Sequence, residues 1–380
     1  MKKKTAIIVI VSVAVALLAA ALIIWFCLKK KKVEHTGLNQ RKFAVEVKEE
    51  QDKLAHIRDT IHIDIHRFDQ ELMRLDTANV NQAMQTLKGK YPIIAWLYPD
   101  MFLDSGNEFY PQYLSQMRGL LKDPYYSQLF KEVNSVFGDM SDIRTELKNA
   151  LALYIYYFPD AQIPQFYTVA LGIDPEDSRK LVYSIPSENG LNVMIHLDWY
   201  LGEKSQFYSG NGLPVYLRSQ LKKENLPIHC FRNAIVWEQL PNREPITLLD
   251  NMIDQGKVYY FTEVLFYNRP VKDIFGYTDA QMKWAEQNHG KVWDYIKEKE
   301  WLFSKDAQVA QHLTGIAPFT SPFKDSPGQM GSFIGWKIVA SYMENHPETS
   351  ISDLMKMTNS NELLNKSGYK PRVDKDLQKK

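Results

Sequence analysis

SDIRTELKNALALYIYYFPDAQIPQFYTVAL, residues 141–171, changes its hydrophobic period part-way through. Ile143, Leu147, Ala150, Leu151, Tyr154 and Phe158 recur at helical spacing for four turns, which predicts a helix with one face in a core. Pro159 and Pro164 then break the pattern. Gln165–Leu171 beyond them is short and rich in aromatic and β-branched residues, and reads as a strand.

Working outward, the C-terminal side offers a second strand at Leu181–Ile185 and an ambiguous stretch at Leu191–Leu201. Helices then dominate. Ile228–Leu240 lies between Pro227 and Pro241, and Thr247–Phe266 follows. Thr278-x-x-Gln281 is a capping box, in which hydroxyl and amide satisfy each other's free N–H groups at a helix start. Ser304 can cap another helix, and Ser350-x-x-Asp353 opens the last. On the N-terminal side, Asp123-Pro124 is an N-cap with proline at the first helical position, followed by an apolar stripe of Leu129, Phe130, Val133 and Phe137. Ile61, Ile63 and Ile65 alternate with polar residues through Phe68, which predicts a strand. Residues 33–58 are polar and charge-rich, a connector leading away from the N-terminus. No internal repeat interrupts the chain. The fold class is α+β, predominantly helical with a small sheet, in a single domain over residues 59–373 with a charged tail at 374–380.

The first 32 residues are different in kind. Thr5–Leu28 is 24 residues long without a charge, and Lys2, Lys3, Lys4 and Lys29 to Lys32 flank it. As a helix it would span about 36 Å, enough to cross a hydrocarbon layer of about 30 Å. A cleaved signal peptide has a shorter apolar region and small residues before the cut, whereas Trp25-Phe26 is bulky. The run therefore reads as one uncleaved transmembrane helix, with 1–32 as the membrane anchor and the bulk outside the cytoplasm. Cys27 is the alternative: a lipoprotein signal ends at a cysteine that is then acylated. Lysines at both ends leave the orientation open on charge alone. The only other cysteine, Cys230, reads as a small buried hydrophobe.

Composition narrows the function. The 380 residues carry 46 Lys+Arg, 45 Asp+Glu and 45% hydrophobic residues, which excludes a disordered or disulfide-scaffold protein. Setting aside the seven lysines of residues 1–32 leaves 39 basic and 45 acidic side chains, a formal charge of −6. A mildly acidic body offers no footprint for nucleic acid.

Few residues point to chemistry. His62-x-Asp64-x-His66 puts three metal-ligand types on one strand face, although a half-buried strand needs a polar face anyway. His196-x-Asp198 is a pair that any chain of this size can contain. The H-E-x-x-H, G-x-S-x-G, phosphate-loop and C-x-x-C patterns do not occur. No cofactor is expected. SPGQMGSFIGW, residues 326–336, is the most unusual stretch, with Gly328, Gly331 and Gly335 on a helical segment. Glycine costs a helix interior about 1 kcal/mol relative to alanine, so three together have a reason. One reason is close packing of another helix. The other is a binding floor beside a helix N-terminus, whose free N–H groups hold anions.

The stretch DSPGQMGSFIGWKIVASYM (325–343) resembles the signature of the gliding-motility lipoprotein family GldB of Bacteroidota. IDIHRFD (63–69), YPDMFLD (98–104), YYFPDAQIP (156–164), LDWYLG (197–202), TLLDNMIDQGKVYYF (247–261), GYTDAQMKWAEQN (276–288) and SGYKPR (367–372) continue the resemblance in order. It implies a cell-envelope protein needed for gliding and associated with type IX secretion, without an established catalytic activity, whose partners are other envelope proteins and the membrane. It also implies lipidation, from which Trp25-Phe26-Cys27 departs. The family is distantly similar to predicted zinc-dependent proteases. That similarity would place Gln255 where a carboxylate ligand belongs, and His229-Cys230-Phe231-Arg232-Asn233 where two histidines and a glutamate belong, so the implied fold is a degenerate metallopeptidase without its metal ligands. A residual zinc hydrolase and a peptide- or glycan-binding module are the alternatives. The expected functional surface is a cleft between two segments. Gln255, Gly256, Lys257 and Tyr260 stand on one wall, and Ser326, Gly328, Gly331, Gly335 and Trp336 on the other.

Overall fold

Side-chain caps written in the sequence start several of the helices. The computed structural model describes residues 38–92, 111–173, 181–187, 190–242 and 247–371. In chain order its elements begin with α1 (Leu38–Glu49), α2 (Gln51–Thr60), β1 (Ile65–His66), α3 (Phe68–Met73), α4 (Val80–Lys90), α5 (Pro111–Lys122), α6 (Pro124–Phe137) and α7 (Ser141–Tyr157). The sheet is completed by β2 (Gln165–Val169), β3 (Val182–Ser187) and β4 (Gly190–His196). Then come α8 (Gln206–Gly210), α9 (Val215–Arg218), α10 (Leu226–Asn233), α11 (Leu248–Leu265), α12 (Val271–Phe275) and α13 (Asp279–Glu298). The chain closes with α14 (Ala307–Thr314), α15 (Met330–Asn345), α16 (Ile351–Lys356) and α17 (Ser360–Ser367). Asp123 accepts from Tyr125 N to cap α6, and complete capping boxes start α11 at Thr247/Asp250 and α13 at Thr278/Gln281. The α+β class holds: a mostly helical body around one four-stranded sheet.

The sheet order is β1-β2-β4-β3, with β1, β2 and β4 parallel and β3 antiparallel to β4. The strand expected over Ile61–Phe68 is shorter than its pattern. Only Ile65 and His66 pair, opposite Phe166 and Tyr167, and Phe68 already starts α3. Ile61, Ile63 and Ile65 are nonetheless all buried. The alternation is real, but it records extended backbone lying on the core rather than a ladder.

Other boundaries also move. Leu191–Leu201 resolves into β4 and a 3-10 turn at Leu197–Tyr200. The helix expected over Ile228–Leu240 breaks at Ala234, whose backbone leaves the helical region (φ −130°, ψ −72°), and resumes as a 3-10 turn at Ile235–Gln239. Asp306 rather than Ser304 caps α14, and Ser304 instead accepts from Asp306 N. The helix opened by Ser350 is followed by one more, α17. From Leu38 onward the polar connector is helical and packs on the body. Phe43 of α1 is buried edge-to-face on Tyr260, 5.8 Å between centroids, and Leu54 of α2 is buried as well.

At the centre lie α11 and α15. In α11, 15 residues between Leu248 and Leu265 are buried, so the helix is enclosed on all sides, as its weak amphipathicity requires. α15 packs along it, and α7, α10, α13, α14 and α17 surround the pair. No helix among the described residues is long and apolar enough to cross a membrane. The 5–28 run, Cys27 and the 374–380 tail lie outside the described residues.

Candidate functional site

The two walls of the expected cleft touch backbone to backbone. A Cβ placed on Gly335 would lie 1.7 Å from the carbonyl oxygen of Met252, and one on Gly256 would lie 2.3 Å from the carbonyl carbon of Gly335. α11 and α15 therefore cross at these two glycines with no room for a methyl group, let alone a ligand. Gly331 sits against Leu313 O and Gly328 against Ala317 O, at 2.9 and 2.2 Å for the same test. The glycines serve close packing, the first of their two readings.

The polar members of the set are equally enclosed. Lys257 is 1% exposed, its ammonium bound to Met357 O and 3.6 Å from Asp254. Tyr260 and Trp336 are buried, and the Trp336 indole donates to Glu263 Oε2 at 2.8 Å. Ser326 Oγ accepts from Thr320 N and donates to Phe323 O, which holds the turn before α15. The N–H of Met330 at the start of α15 donates to Thr320 Oγ1. Gln255 alone is half-buried. The surface expected here is an interior.

The segment compared with a metal-binding helix is interior too. His229 is buried, with Nδ1 2.8 Å from Tyr200 OH, and burial beside Arg232 holds its pKa well below the usual imidazole value. Burial drives the Cys230 thiol up. Arg232 donates to Ile274 O and to the Asn233 side chain. His62 and Asp64 are exposed, while His66 stacks on Tyr167 at 4.7 Å. Among the described residues, no group of three or more His, Cys, Asp or Glu side chains comes together to hold a metal ion.

Two buried carboxyls stand out: Asp198, which the sequence offered only within the His196-x-Asp198 pair, and Glu263, which it did not mark. Asp198 lies beyond the C-terminal end of β4 and accepts from Leu171 N and Gly172 N at 3.0 and 2.8 Å. Burial pushes its pKa up to about 7, partly opposed by those N–H groups and reinforced by Asp69. Asp69 is itself paired with Arg67 at 2.9 Å and accepts from Thr168 Oγ1. Glu263 is enclosed beside the α11–α15 crossing, and burial raises its pKa to about 7 against the Trp336 indole hydrogen bond.

Glu263 makes stability pH-dependent in a definite direction. A carboxyl whose pKa rises on folding holds its proton longer in the folded chain. Its cost is absent below the unfolded value of 4.5, grows as pH climbs, and is complete above about 7. Glu263→Gln keeps an acceptor for Trp336 and removes the charge. It should stabilise by on the order of 3 kcal/mol at pH 8.5, since each pKa unit is worth about 1.4, and by nearly nothing at pH 4.5. Melting curves of parent and variant across this range check it; parallel curves would defeat the argument.

An open concave feature lies elsewhere. A groove of about 450 Å³ runs between α1–α2 on one side and α7 with the C-terminal end of α11 on the other. Leu54, Ala150, Leu153, Leu265 and Phe266 form its apolar floor, and all are buried. Lys48, Gln51 and Arg58 stand on one rim, with Glu146, Asn149 and Asn268 on the other. The hollow continues past Glu146 to Ser141, Asp142 and Thr145. Glu146 pairs with Arg269 at 2.9 Å and Asp142 with Lys223 at 2.8 Å. Sequence reasoning missed this groove because half of it comes from the stretch taken as a connector. The available signal was the apolar Phe43, Val47 and Leu54 inside that polar run.

No curated protein and no solved structure matches the chain. The family model described as gliding motility protein GldB, which carries a lipoprotein label, matches residues 48–371. That match runs from the end of α1, through the sheet and the α11–α15 crossing, to the last described residue, so the chain belongs to the GldB family of gliding motility proteins.

Proposed function

We propose that this chain is a non-catalytic component of the cell envelope, held at a membrane by its first 28 residues and working through contacts with other envelope proteins of the gliding and type IX secretion machinery. The observation that carries the reading is the contact of Gly256 with Gly335. If the fold were protease-like, its reaction centre would fall between these segments, where two helix backbones meet; an open concave surface lies along the N-terminal helices. That surface is close in sequence to the membrane-directed run, where a partner in the same envelope layer can reach it. The alternative, a residual zinc hydrolase, would need His229 to reach a metal through Nε2, its Nδ1 being bound to Tyr200 OH, with the amide of Gln255 in place of a carboxylate ligand.

Membrane attachment has two forms. Trp25-Phe26 before Cys27 favours an uncut helix, and the family's lipoprotein label favours acylation of Cys27. Chemical crosslinking in intact cells, followed by mass spectrometry of the membrane-extracted chain, tests both levels at once. The expected result is an adduct with another envelope protein, and an intact mass that either keeps residues 1–26 or begins at an acylated Cys27. Peptidase activity together with about one zinc per purified chain would overturn the non-catalytic reading.

A further inference from the structure

The groove between α1–α2 and α7 has a charge pattern that specifies its occupant. Its carboxylates are ion-paired: Glu146 with Arg269, which Asp273 also approaches at 3.4 Å, and Asp142 with Lys223. Its cations on the opposite rim are not. Lys48 and Arg58 are exposed, and among the described residues neither side chain makes an ion pair. Among the charged side chains that line the groove, those without an ion-pair partner are therefore both cations, although the body of the chain is acidic. Three amides, Gln51, Asn149 and Asn268, stand exposed around the apolar floor. Each offers one acceptor and two donors, a match for the C=O and N–H of an extended backbone.

We propose that this groove binds an extended acidic segment of a partner protein, with apolar side chains on every second residue. In an extended strand successive side chains point to opposite faces. Apolar ones would sit on Leu54, Leu153 and Phe266, and acidic ones would face Lys48 and Arg58. The three amides would hold the backbone between. This rests on the reading that the chain works through protein contacts, and it names the chemistry of one contact.

The test uses the full chain in detergent and three fluorescent decapeptides: alternating Asp and Leu, alternating Lys and Leu, and alternating Ser and Leu. Anisotropy should show the acidic peptide binding at least tenfold more tightly than the basic one, with the neutral one between. Lys48→Glu with Arg58→Glu should reverse that order. A reversal is a gain of binding for the basic peptide, which unfolding cannot produce. Ala44→Trp, at an exposed position on the groove wall, should weaken all three while leaving the melting temperature unchanged. Equal binding of the three peptides, no saturable binding of the acidic one, or an order unchanged by the double charge reversal would each overturn the proposal. If cells yield a crosslinked partner while the peptides fail, the groove assignment falls alone. If no partner is captured, the contact function falls with it.

Discussion

Gly335→Ala should melt about 6–10 °C below the parent chain, a loss of about 3–4 kcal/mol. Alanine is normally the better helix former by about 1 kcal/mol, so the steric cost must exceed that gain before any loss appears. It does so here because the obstacle is backbone. The new methyl would meet Met252 O at 1.7 Å and Met252 C at 2.6 Å, and neither can rotate aside as a side-chain end could. Relief requires moving α15 off α11, which loosens the packing of Met252, Phe333 and Val339, all fully buried. Gly256→Ala acts on the same crossing, with its Cβ 2.3 Å from Gly335 C. The double variant should therefore cost clearly less than the sum, because helices already pushed apart by one methyl accommodate the second. Gly119→Ala is the control. Gly119 is exposed in α5 with nothing within 4 Å of its Cβ position, and the change should stabilise by about 0.5–1 kcal/mol. Thermal melts of the four variants against the parent settle the matter. A Gly335→Ala chain melting within a degree of the parent would mean that the helices do not cross where their glycines are.

How much of this was legible depends on whether the signal was local. Capping residues are local chemistry, and Thr247, Thr278, Asp123 and Ser350 all start helices as their neighbours predict. Hydrophobic period is nearly local, and it placed α7, β2 and β3. It failed at Ile61–Phe68 because alternation reports a buried face, whereas a strand also needs a partner, and β2 offers one only to Ile65 and His66. The candidate site was less legible still. Nothing within SPGQMGSFIGW distinguishes a floor for a ligand from a floor for another helix; the answer lies 79 residues away, in Gly256. Burial of Lys257 is likewise invisible from its own surroundings, since its acceptor, Met357 O, arrives from the turn after α16. The groove was hidden for the opposite reason. Most of α1 and α2 is polar because most of it faces water, and the few residues that dock it, Phe43 and Leu54, do not dominate the composition.

Trp336→Ala and Lys257→Ala should each unfold the chain in part or whole, and the reason bears on how loss-of-function data for this family are read. On a cleft wall, both residues would be removable without harm to the fold, and a defect in cells would map a binding surface. In the interior they are not removable. Trp336 is 4% exposed and packs its ring against Phe275 and Phe333, with centroids 5.5 Å from each. Its truncation leaves a cavity, which for large aromatic side chains costs about 3–5 kcal/mol, and strips Glu263 of its indole donor. Lys257→Ala removes a buried ammonium next to Asp254 and orphans the Met357 carbonyl; breaking a buried pair costs about 3–5 kcal/mol. Trp336→Phe separates the two parts of the tryptophan's role. It keeps most of the ring volume but not the N–H, so Glu263 loses the hydrogen bond that opposes its desolvation, and its pKa rises further. The cost of Trp336→Phe should therefore be small at pH 4.5, where Glu263 is largely protonated, and grow through pH 7. In a Glu263→Gln background that pH dependence should vanish. Soluble yield and melting temperature of Trp336→Ala, and the pH series for Trp336→Phe with and without Glu263→Gln, test the placement directly. A folded Trp336→Ala, Lys257→Ala double variant with parental melting would return both residues to the surface and reopen the cleft as a binding site.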